Sequence, residues 1–409
     1  FLSMIHDLRV GRLPKDSLSV NKDSLLTDTF YADRINEFVR TGQMQQIADA
    51  LEPIYPGYQA LKAGLSQFLD SVEFAPITYI NYPANDSIKL YQQLQKRFVE
   101  LNLIGSESLD VDTTMWKKYI GDYQAANKMK VTGRLNENTV NRLNATPWER
   151  FKQIAITLDK YKQLPDSMPV SYVMVNIPNF RLKVYDCDTI AFESRVVVGT
   201  PATRTPELSS EVSNFITYPQ WTVPYSIVFK EMLPKIQKSV EYLQQQNLMV
   251  VDRYDSIIDP TTINWAKLNK SNFPYTLKQR QGDDNSLGVI KFNFRNKYSV
   301  YLHDTNARYM FQRSARALSH GCVRVQQWQK FADYLIRNDT VKYNRDSLIS
   351  WIDRKEKKLV QGFQRVPIFI RYYSCEGLND RVVFHDDVYG TDKYLREKYF
   401  SDKSIINIP

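Results

Sequence analysis

The hydrophobic pattern of this chain changes its period near residue 169, and this change limits the fold more than any other feature. Before it, apolar residues recur at helical spacing, as Leu61 and Leu65 do, which is typical of amphipathic helices. From Val170 onward apolar and polar residues alternate, and residues 180–184 have the pattern of a half-buried strand. The sequence therefore predicts a multidomain α+β protein with a helical N-terminal part and a β-rich domain.

Breaks in this pattern divide the chain into five predicted segments. They are a helical scaffold (1–83), a small helical module (84–145), a linker helix (146–168), a β-rich domain (169–372) and a C-terminal tail (373–409). Within the β-rich domain, residues 221–287 interrupt the alternation with helical spacings. We expect this helical excursion to cap one end of the sheet, either as a lid or as a passive connection. The tail has no pattern that predicts chemistry.

Charge and composition exclude several functional classes. The 409 residues include 54 basic and 45 acidic side chains, a net charge of +9. This mild excess suits an acidic substrate, and without a dense Lys/Arg tract no nucleic-acid partner is predicted. No apolar run approaches the roughly 18 residues of a membrane span. Because the sequence begins with Phe1 rather than Met, we expect it to be part of a longer chain, with any membrane anchor outside it.

One of the three cysteines lies in a distinctive setting. Cys187 and Cys375 have no informative neighbours, and three cysteines are too few for a disulfide framework. Cys322 ends the run Ser319-His320-Gly321-Cys322. No carboxylate stands at a usual zinc-peptidase spacing from it, so neither a metal nor another cofactor is predicted.

The pattern predicts that Cys322 and His303 meet in space. His303 ends a predicted β-hairpin on the face opposite Leu302, which points to the core. The connection to Cys322 is predicted to contain a short returning helix, because three apolar residues have helical spacing: Phe311, Ala315 and Leu318.

A thiol beside an imidazole can act as a nucleophile, because the imidazole accepts its proton or pairs with the thiolate. Spacing alone does not decide whether His303 or His320 has this role. Gly321 permits a tight turn whose successive N–H groups can bind one oxygen, as an oxyanion hole for acyl transfer requires. The residues thus predict acyl-transfer chemistry at Cys322.

The whole arrangement resembles the catalytic signature of the L,D-transpeptidases, the YkuD-type domain. In that signature a His is followed, about fifteen residues later, by Ser/Thr-His-Gly-Cys and then by Arg or Asn. His303, the run from Ser319 to Cys322 and Arg324 match it. Asn176-Ile-Pro-Asn-Phe180 and Val198-Gly199 also resemble the opening strands of that domain.

The resemblance implies a role for each matching residue. Cys322 would be the nucleophile and His303 the base, with its ring oriented by the backbone carbonyl of Asp304. The amides of His320, Gly321 and Cys322 would form the oxyanion hole. Supporting or substrate-binding roles would fall to Ser319 and Arg324. Trp221 is not part of the matching motif, but it begins the helical excursion and is predicted to line the substrate groove. For Trp221 an alternative is a strand end that is stopped by Pro224.

Residues 84–145 resemble the peptidoglycan-binding three-helix module. That family has an aromatic-Gln pair, a glycine turn and a Thr that starts the last helix, and these places hold Tyr123-Gln124, Gly133 and Thr139. The order of parts resembles the large multidomain Gram-negative type of L,D-transpeptidase. Such an enzyme would work in the periplasm.

These resemblances imply a peptidoglycan substrate. The acyl donor would be a tetrapeptide stem that loses its terminal D-alanine, and a neighbouring diaminopimelate amine would accept the acyl group in a 3→3 cross-link. A carbapenem would acylate Cys322. Two alternatives remain: a carboxypeptidase or endopeptidase of the same fold with water as acceptor, or a non-catalytic peptidoglycan-binding protein. The intact Cys322/His303 pair disfavours the latter.

Overall fold

The N-terminal part of the computed structural model is helical, as predicted. The structure describes residues 1–14, 26–74, 77–105, 113–127, 129–187, 189–339 and 342–400. Apolar faces of the first helices pack together, with Ile5 against Ile47 and Leu51. The four helices are α1 (Leu2–Val10), α2 (Asp28–Thr41), α3 (Met44–Leu51) and α4 (Pro56–Ser71).

A three-helix module follows, around a separate core that includes Leu94, Phe98 and Trp116. Its helices are α5 (Ser87–Glu100), α6 (Thr113–Ala126) and α7 (Glu137–Leu143). Gln124 is fully buried, and its side-chain amide donates hydrogen bonds to Thr139 Oγ1 at 2.9 Å and to the Arg134 carbonyl at 3.0 Å. The glutamine of the sequence motif therefore holds the module together, and glycan binding by the module stays a prediction.

The linker helix is followed by the first four strands of the β-rich domain. Thr146 caps the helix by accepting a hydrogen bond from the Glu149 amide at 3.2 Å, and Pro147 occupies the first turn. These elements are α8 (Pro147–Tyr161), β1 (Ser171–Asn176), β2 (Arg181–Asp186), β3 (Thr189–Gly199) and β4 (Leu208–Thr217).

Residues 221–287, called the cap from here on, have a core of their own, which the prediction of a helical excursion describes only in part. Besides helices, the cap contains a four-stranded sheet in the order β5-β8-β6-β7. The run 248–251 is buried at every position, and a short strand of this kind lacks the alternation that would separate it from a helix. The cap contains β5 (Trp221–Thr222), α9 (Tyr225–Ile227), α10 (Leu233–Lys238), α11 (Glu241–Gln245), β6 (Leu248–Val251), β7 (Ile257–Ile258) and β8 (Thr276–Gln279), with a π-helical turn at Val228–Met232.

The main sheet closes on itself. Its order is β11-β3-β12-β10-β9-β4-β13-β1-β2, and β2 also pairs with β3. The later strands are β9 (Ile290–Phe294), β10 (Leu302–His303), β11 (Ala317–Ser319), β12 (Val323–Val325) and β13 (Leu359–Arg371). Closure is achieved because β3 pairs with β2 through residues 189–195 and with β12 through 196–197. Inward side chains form the largest apolar core, against α12 (Trp328–Ile336) and α13 (Arg345–Asp353).

The prediction of a returning helix between His303 and Cys322 is wrong. Only a five-residue 3₁₀ turn, Arg308–Gln312, is helical there. Leu318 lies in β11, where Ala317 and Ser319 pair with the end of β3. Pairing with an adjacent strand therefore outweighs the helical spacing, because a sheet edge offers the backbone hydrogen-bond partners that a short helix lacks.

The tail packs against the N-terminal helices and the linker helix. It contains β14 (Cys375–Leu378), β15 (Arg381–Phe384) and α14 (Thr391–Tyr399); residues 401–409 of the predicted tail lie outside the described residues. Lys160 in α8 donates a buried hydrogen bond of 2.9 Å to the Asp392 carboxylate in α14. Among the helices of the described residues, none combines the length and the apolar composition needed to cross a bilayer.

Candidate active site

Two of the predicted catalytic residues, His303 and Cys322, share one face of three paired strands. β10 runs parallel to β12, with Leu302 opposite Val323 and His303 opposite Arg324, and antiparallel to β9, with His303 opposite Lys291. Leu302 and Val323 are fully buried in the core. Since side chains alternate along a strand, the other face of these strands carries the remaining positions. These are Lys291, Tyr301, His303, Cys322 and Arg324.

His303 is buried and neutral. Its ring nitrogen Nδ1 hydrogen-bonds with the backbone oxygen of Asp304. Burial, assisted by the positive charge of Arg324, lowers the pKa of His303 to about 3, although backbone hydrogen bonds at Asp304 and Leu287 favour the charged form. Because a carbonyl can only accept, Nδ1 carries the proton and Nε2 keeps its lone pair. The imidazole therefore has the protonation state of a general base.

The thiol of Cys322 is protonated near neutral pH. Burial raises its pKa, and this outweighs the hydrogen bonds from Tyr301 and the charges of Lys291 and Arg324, which favour the thiolate. A raised thiol pKa beside a neutral imidazole means that the resting site holds no thiolate–imidazolium pair. A thiol in this state can act as a nucleophile only if it loses its proton as it attacks.

Tyr301 connects Cys322 with Trp221. The tyrosine side chain hydrogen-bonds with both residues, and burial raises the pKa of its phenol, so that it stays protonated. The Nζ of Lys291 lies 4.1 Å from the centre of the tyrosine ring. The structure thus brings Trp221 to the site through Tyr301. The sequence offered one signal for Tyr301, its position two residues before His303 on the same face.

The Ser319–Cys322 turn is stabilised by the side chain of its first residue, Ser319. Gly321 has φ +117°, a left-handed conformation that favours glycine, and its amide donates to Ser319 Oγ at 3.1 Å. The same Ser319 hydroxyl donates to the Cys322 carbonyl at 2.6 Å. The Gly321 amide is therefore already hydrogen-bonded within the turn, which differs from its expected place in the oxyanion hole.

A loop after β3 supports this turn from outside, and the sequence analysis missed it. The hydroxyl of Thr205 donates to the Gly321 carbonyl at 2.8 Å and accepts from the Gly199 amide at 2.8 Å. Thr203 donates to the Ser319 carbonyl at 3.0 Å. From the tail, the Tyr389 hydroxyl donates to the Gly199 carbonyl at 2.7 Å. Two threonines in a loop carry no sequence pattern that would have marked them.

The side chain of His320 hydrogen-bonds with the cap. Its Nε2 lies 2.6 Å from Oε1 of Glu231, in the π-helical turn, and both side chains are nearly half exposed. His303 and His320 are therefore in different environments, one buried beneath the strands and one at the surface. The sequence analysis singled out no role for Glu231.

Asp304 is buried and Arg324 is partly buried next to the paired strands. Oδ2 of Asp304 accepts from the Val289 amide at 3.1 Å and from Arg308 at 2.8 Å. Nη1 of Arg324 lies 2.8 Å from the sulfur of Met310, while its buried Nε has no hydrogen-bond partner in the described part of the chain. Arg324 therefore supports the turn that precedes β11 and keeps unused donor capacity.

One arginine between His303 and Cys322 has a structural role. Arg316 is buried and donates to the backbone carbonyls of Val196, Arg313 and Phe180.

In the described ranges, no group of three His, Cys, Asp or Glu side chains has an arrangement that could hold a metal ion.

Comparison with known proteins identifies the domain that holds this site. The family model of the L,D-transpeptidase catalytic domain (YkuD) matches residues 170–342. A putative L,D-transpeptidase of Haemophilus influenzae is 31% identical over 244 residues, which cover 60% of this chain and 49% of that protein. The chain thus spans about half the length of this curated relative.

Solved L,D-transpeptidase structures are more distant. The catalytic domain of the E. faecium enzyme acylated by ertapenem is 12% identical and covers 50% of this chain and 99% of its own, with a TM-score of 0.23. For Mycobacterium tuberculosis L,D-transpeptidase 1 the identity is 13%, the coverage 49% and 61%, and the TM-score 0.19. Scores this low carry no argument, so the family rests on the model match and the curated relative. Residues 170–342 form an L,D-transpeptidase catalytic domain of the YkuD family.

Proposed function

We propose that this chain is a cysteine acyltransferase that joins peptidoglycan stems by 3→3 cross-links. The observation that carries the proposal is the common face of β10 and β12 within a domain of this family. His303 pairs with Arg324, and the same register puts Cys322 opposite Tyr301, so that Cys322 and His303 are diagonal neighbours on that face. The thiol hydrogen-bonds with Tyr301, and the imidazole is neutral. These are the parts that an acyl-enzyme mechanism requires.

The first half of the proposed reaction forms a thioester. Sγ of Cys322 attacks the carbonyl carbon of the third stem residue, a diaminopimelate, while the thiol proton passes to Nε2 of His303. The bond between that carbonyl and the nitrogen of the terminal D-alanine then breaks. The proton on His303 moves to the departing amine, and free D-alanine leaves.

The second half transfers the acyl group. The side-chain amine of a diaminopimelate on a neighbouring stem attacks the thioester carbon, and His303 takes up a proton from this amine. The carbon–sulfur bond breaks, and the proton returns to the sulfur of Cys322. An amide cross-link forms, and the enzyme is regenerated without a cofactor.

Negative charge on the attacked oxygen needs donors. We assign this role to the backbone amides of His320 and Cys322, because the Gly321 amide donates to Ser319. Lys291 and Arg324 lie on the same face and would stabilise the departing thiolate and the stem carboxylates. Trp221 would line the groove beside Tyr301.

The remaining parts fit the same setting. The module 84–145 would hold glycan near the catalytic domain, and the enzyme would act in the periplasm. We also propose that a carbapenem such as ertapenem forms a covalent adduct with Cys322, because it would acylate the same thiol as the stem.

The test is incubation of the purified chain with muropeptide tetrapeptides, followed by mass spectrometry. Cross-linked dimers together with free D-alanine support the proposal, whereas tripeptides alone would indicate that water is the acceptor. Ertapenem should add its mass to the protein but not to Cys322→Ala. Equal labelling of the two proteins would refute Cys322 as the nucleophile.

A further inference from the structure

A surface cavity lies beyond the catalytic strands and plays no part in the chemistry described above. Its volume is about 350 Å³, within the range of small-molecule sites. It is lined by Arg308, Tyr309, Phe311, Gln312, Gln326 and Trp328. A second cavity, behind the sheet near Tyr373, has about 30 Å³, which is room for water only.

One lining residue of the cavity, Gln326, continues the strand that follows Cys322. β12 ends at Val325, and Gln326 continues it by donating its amide to the Arg195 carbonyl at 3.1 Å. Residues 322, 324 and 326 therefore point the same way. Four residues of extended chain place Gln326 about 13 Å from Cys322.

Two contacts connect the segment that lines the cavity with β12 and with the end of β10. Arg308 donates to the Asp304 carboxylate at 2.8 Å, one residue from His303. Met310, next to Tyr309, contacts Arg324 at 2.8 Å. A ligand in the cavity would therefore be continuous with a substrate that reaches Cys322.

The chemistry of the lining indicates the class of ligand. Tyr309 and Trp328 offer aromatic surface, which covers the apolar face of a ring. The amides of Gln312 and Gln326 each offer a donor and an acceptor, which match hydroxyl and acetamido groups. Arg308 is exposed and adds donors, and the lining has no acidic side chain that would favour a cation. A neutral, polar pyranose ring fits this combination.

We infer that this cavity is a subsite for the N-acetylated sugar from which the donor stem projects. The inference rests on the proposed function, because it takes Cys322 to attack the third stem residue. Three extended residues span at most about 11 Å, and the linkage to the sugar adds the remainder of the roughly 13 Å. A stem that is acylated at Cys322 can thus place its sugar against Tyr309 and Gln326.

The test compares two donors, the disaccharide-tetrapeptide and the free tetrapeptide, by kcat/KM. The wild-type protein should prefer the sugar-bearing donor. Tyr309→Ala and Gln326→Ala should each lower that preference, and together by roughly tenfold. The matched control is Tyr394→Ala: Tyr309 and Tyr394 are both 59% exposed, and each has a cation 5.8 Å from its ring centre. The control should keep the wild-type preference.

Two outcomes would overturn the inference: equal use of both donors by the wild-type protein, or an unchanged preference in the double variant. Failure of the proposed function is seen separately, as no turnover of either donor. In that case the subsite can still be tested by an NMR titration that measures how tightly Cys322→Ala binds the disaccharide-tetrapeptide. Binding that is weakened by Tyr309→Ala supports it, and binding that is indifferent to this change refutes it.

Discussion

Oε1 of Glu231 in the cap lies 2.6 Å from Nε2 of His320, which directly follows β11 and stands two residues before Cys322. This pair joins the cap to the turn that carries the thiol. Both partners are nearly half exposed, so the pair is worth at most about 1 kcal/mol. Its importance lies in position rather than in stability.

Removal of this contact should loosen the turn. We expect Glu231→Ala to slow acylation of Cys322 by up to about fivefold, the equivalent of 1 kcal/mol, because the cap no longer holds His320. Amides in 319–322 should exchange faster with deuterium. Glu241→Ala, an exposed acid elsewhere on the cap, serves as the control. Unchanged exchange at the turn would show that the contact does not restrain it.

Removal of the proposed base should be far more costly. We expect His303→Ala to lower turnover by roughly 10²–10⁴, the usual contribution of a positioned general base. Steady-state kinetics on the tetrapeptide donor measures the effect. His320→Ala should lose much less, because that ring contacts the cap. If His320→Ala lowers turnover more than His303→Ala does, the base is His320.

The state of the thiol can be tested by alkylation. Because burial raises the pKa of Cys322, its reaction with iodoacetamide should be slow at pH 7 and should still be accelerating at pH 9. The measurement uses a Cys187→Ser background, since Cys187 is exposed. A rate that is already constant below pH 7 would indicate a preformed thiolate and contradict the neutral resting site.

Burial of His303 should make the fold sensitive to acid. The pKa is lowered to about 3 in the folded protein, against about 6.5 when unfolded. Between these values the unfolded state binds more protons, so stability is fully present above pH 6.5 and falls as the pH drops towards 3. The slope is at most about 1.4 kcal/mol per pH unit.

His303→Gln removes this proton uptake while other groups still titrate. We therefore expect the unfolding free energy of the wild-type protein, relative to the variant, to decrease between pH 6.5 and pH 4. Denaturant titrations at several pH values measure this difference. A difference that does not vary with pH would mean that His303 is not buried in its neutral form.

The loop after β3 should contribute to stability as well as to positioning. Thr205→Val removes a buried hydroxyl that bonds both Gly321 and Gly199, and should cost about 1–3 kcal/mol of unfolding free energy. Thr189→Val removes an exposed hydroxyl bonded to the Asp186 carbonyl, and should cost less. If both variants lose the same unfolding free energy, the buried hydrogen bonds of Thr205 stabilise the fold no more than the exposed one of Thr189. Slower acylation in Thr205→Val alone would connect this network to the turn.

The sequence by itself determined the features that depend on near neighbours. Alternation placed Leu302 in the core and His303 on the opposite face, and the Ser319–Cys322 run marked the reactive turn. Period-2 alternation is a property of a strand, so it can be read without knowing the partners of that strand. The sheet within the cap was missed because a fully buried strand such as 248–251 has no alternation.

Only the tertiary structure decided which distant residues complete the site. Glu231 meets His320 across 89 positions, and Thr205 meets Gly321 across 116. Such contacts depend on strand order and on the path of loops, and a single exposed glutamate or loop threonine carries no periodic signal. The protonation states also depend on the tertiary structure, because burial lowers the pKa of His303 and raises the pKa of Cys322.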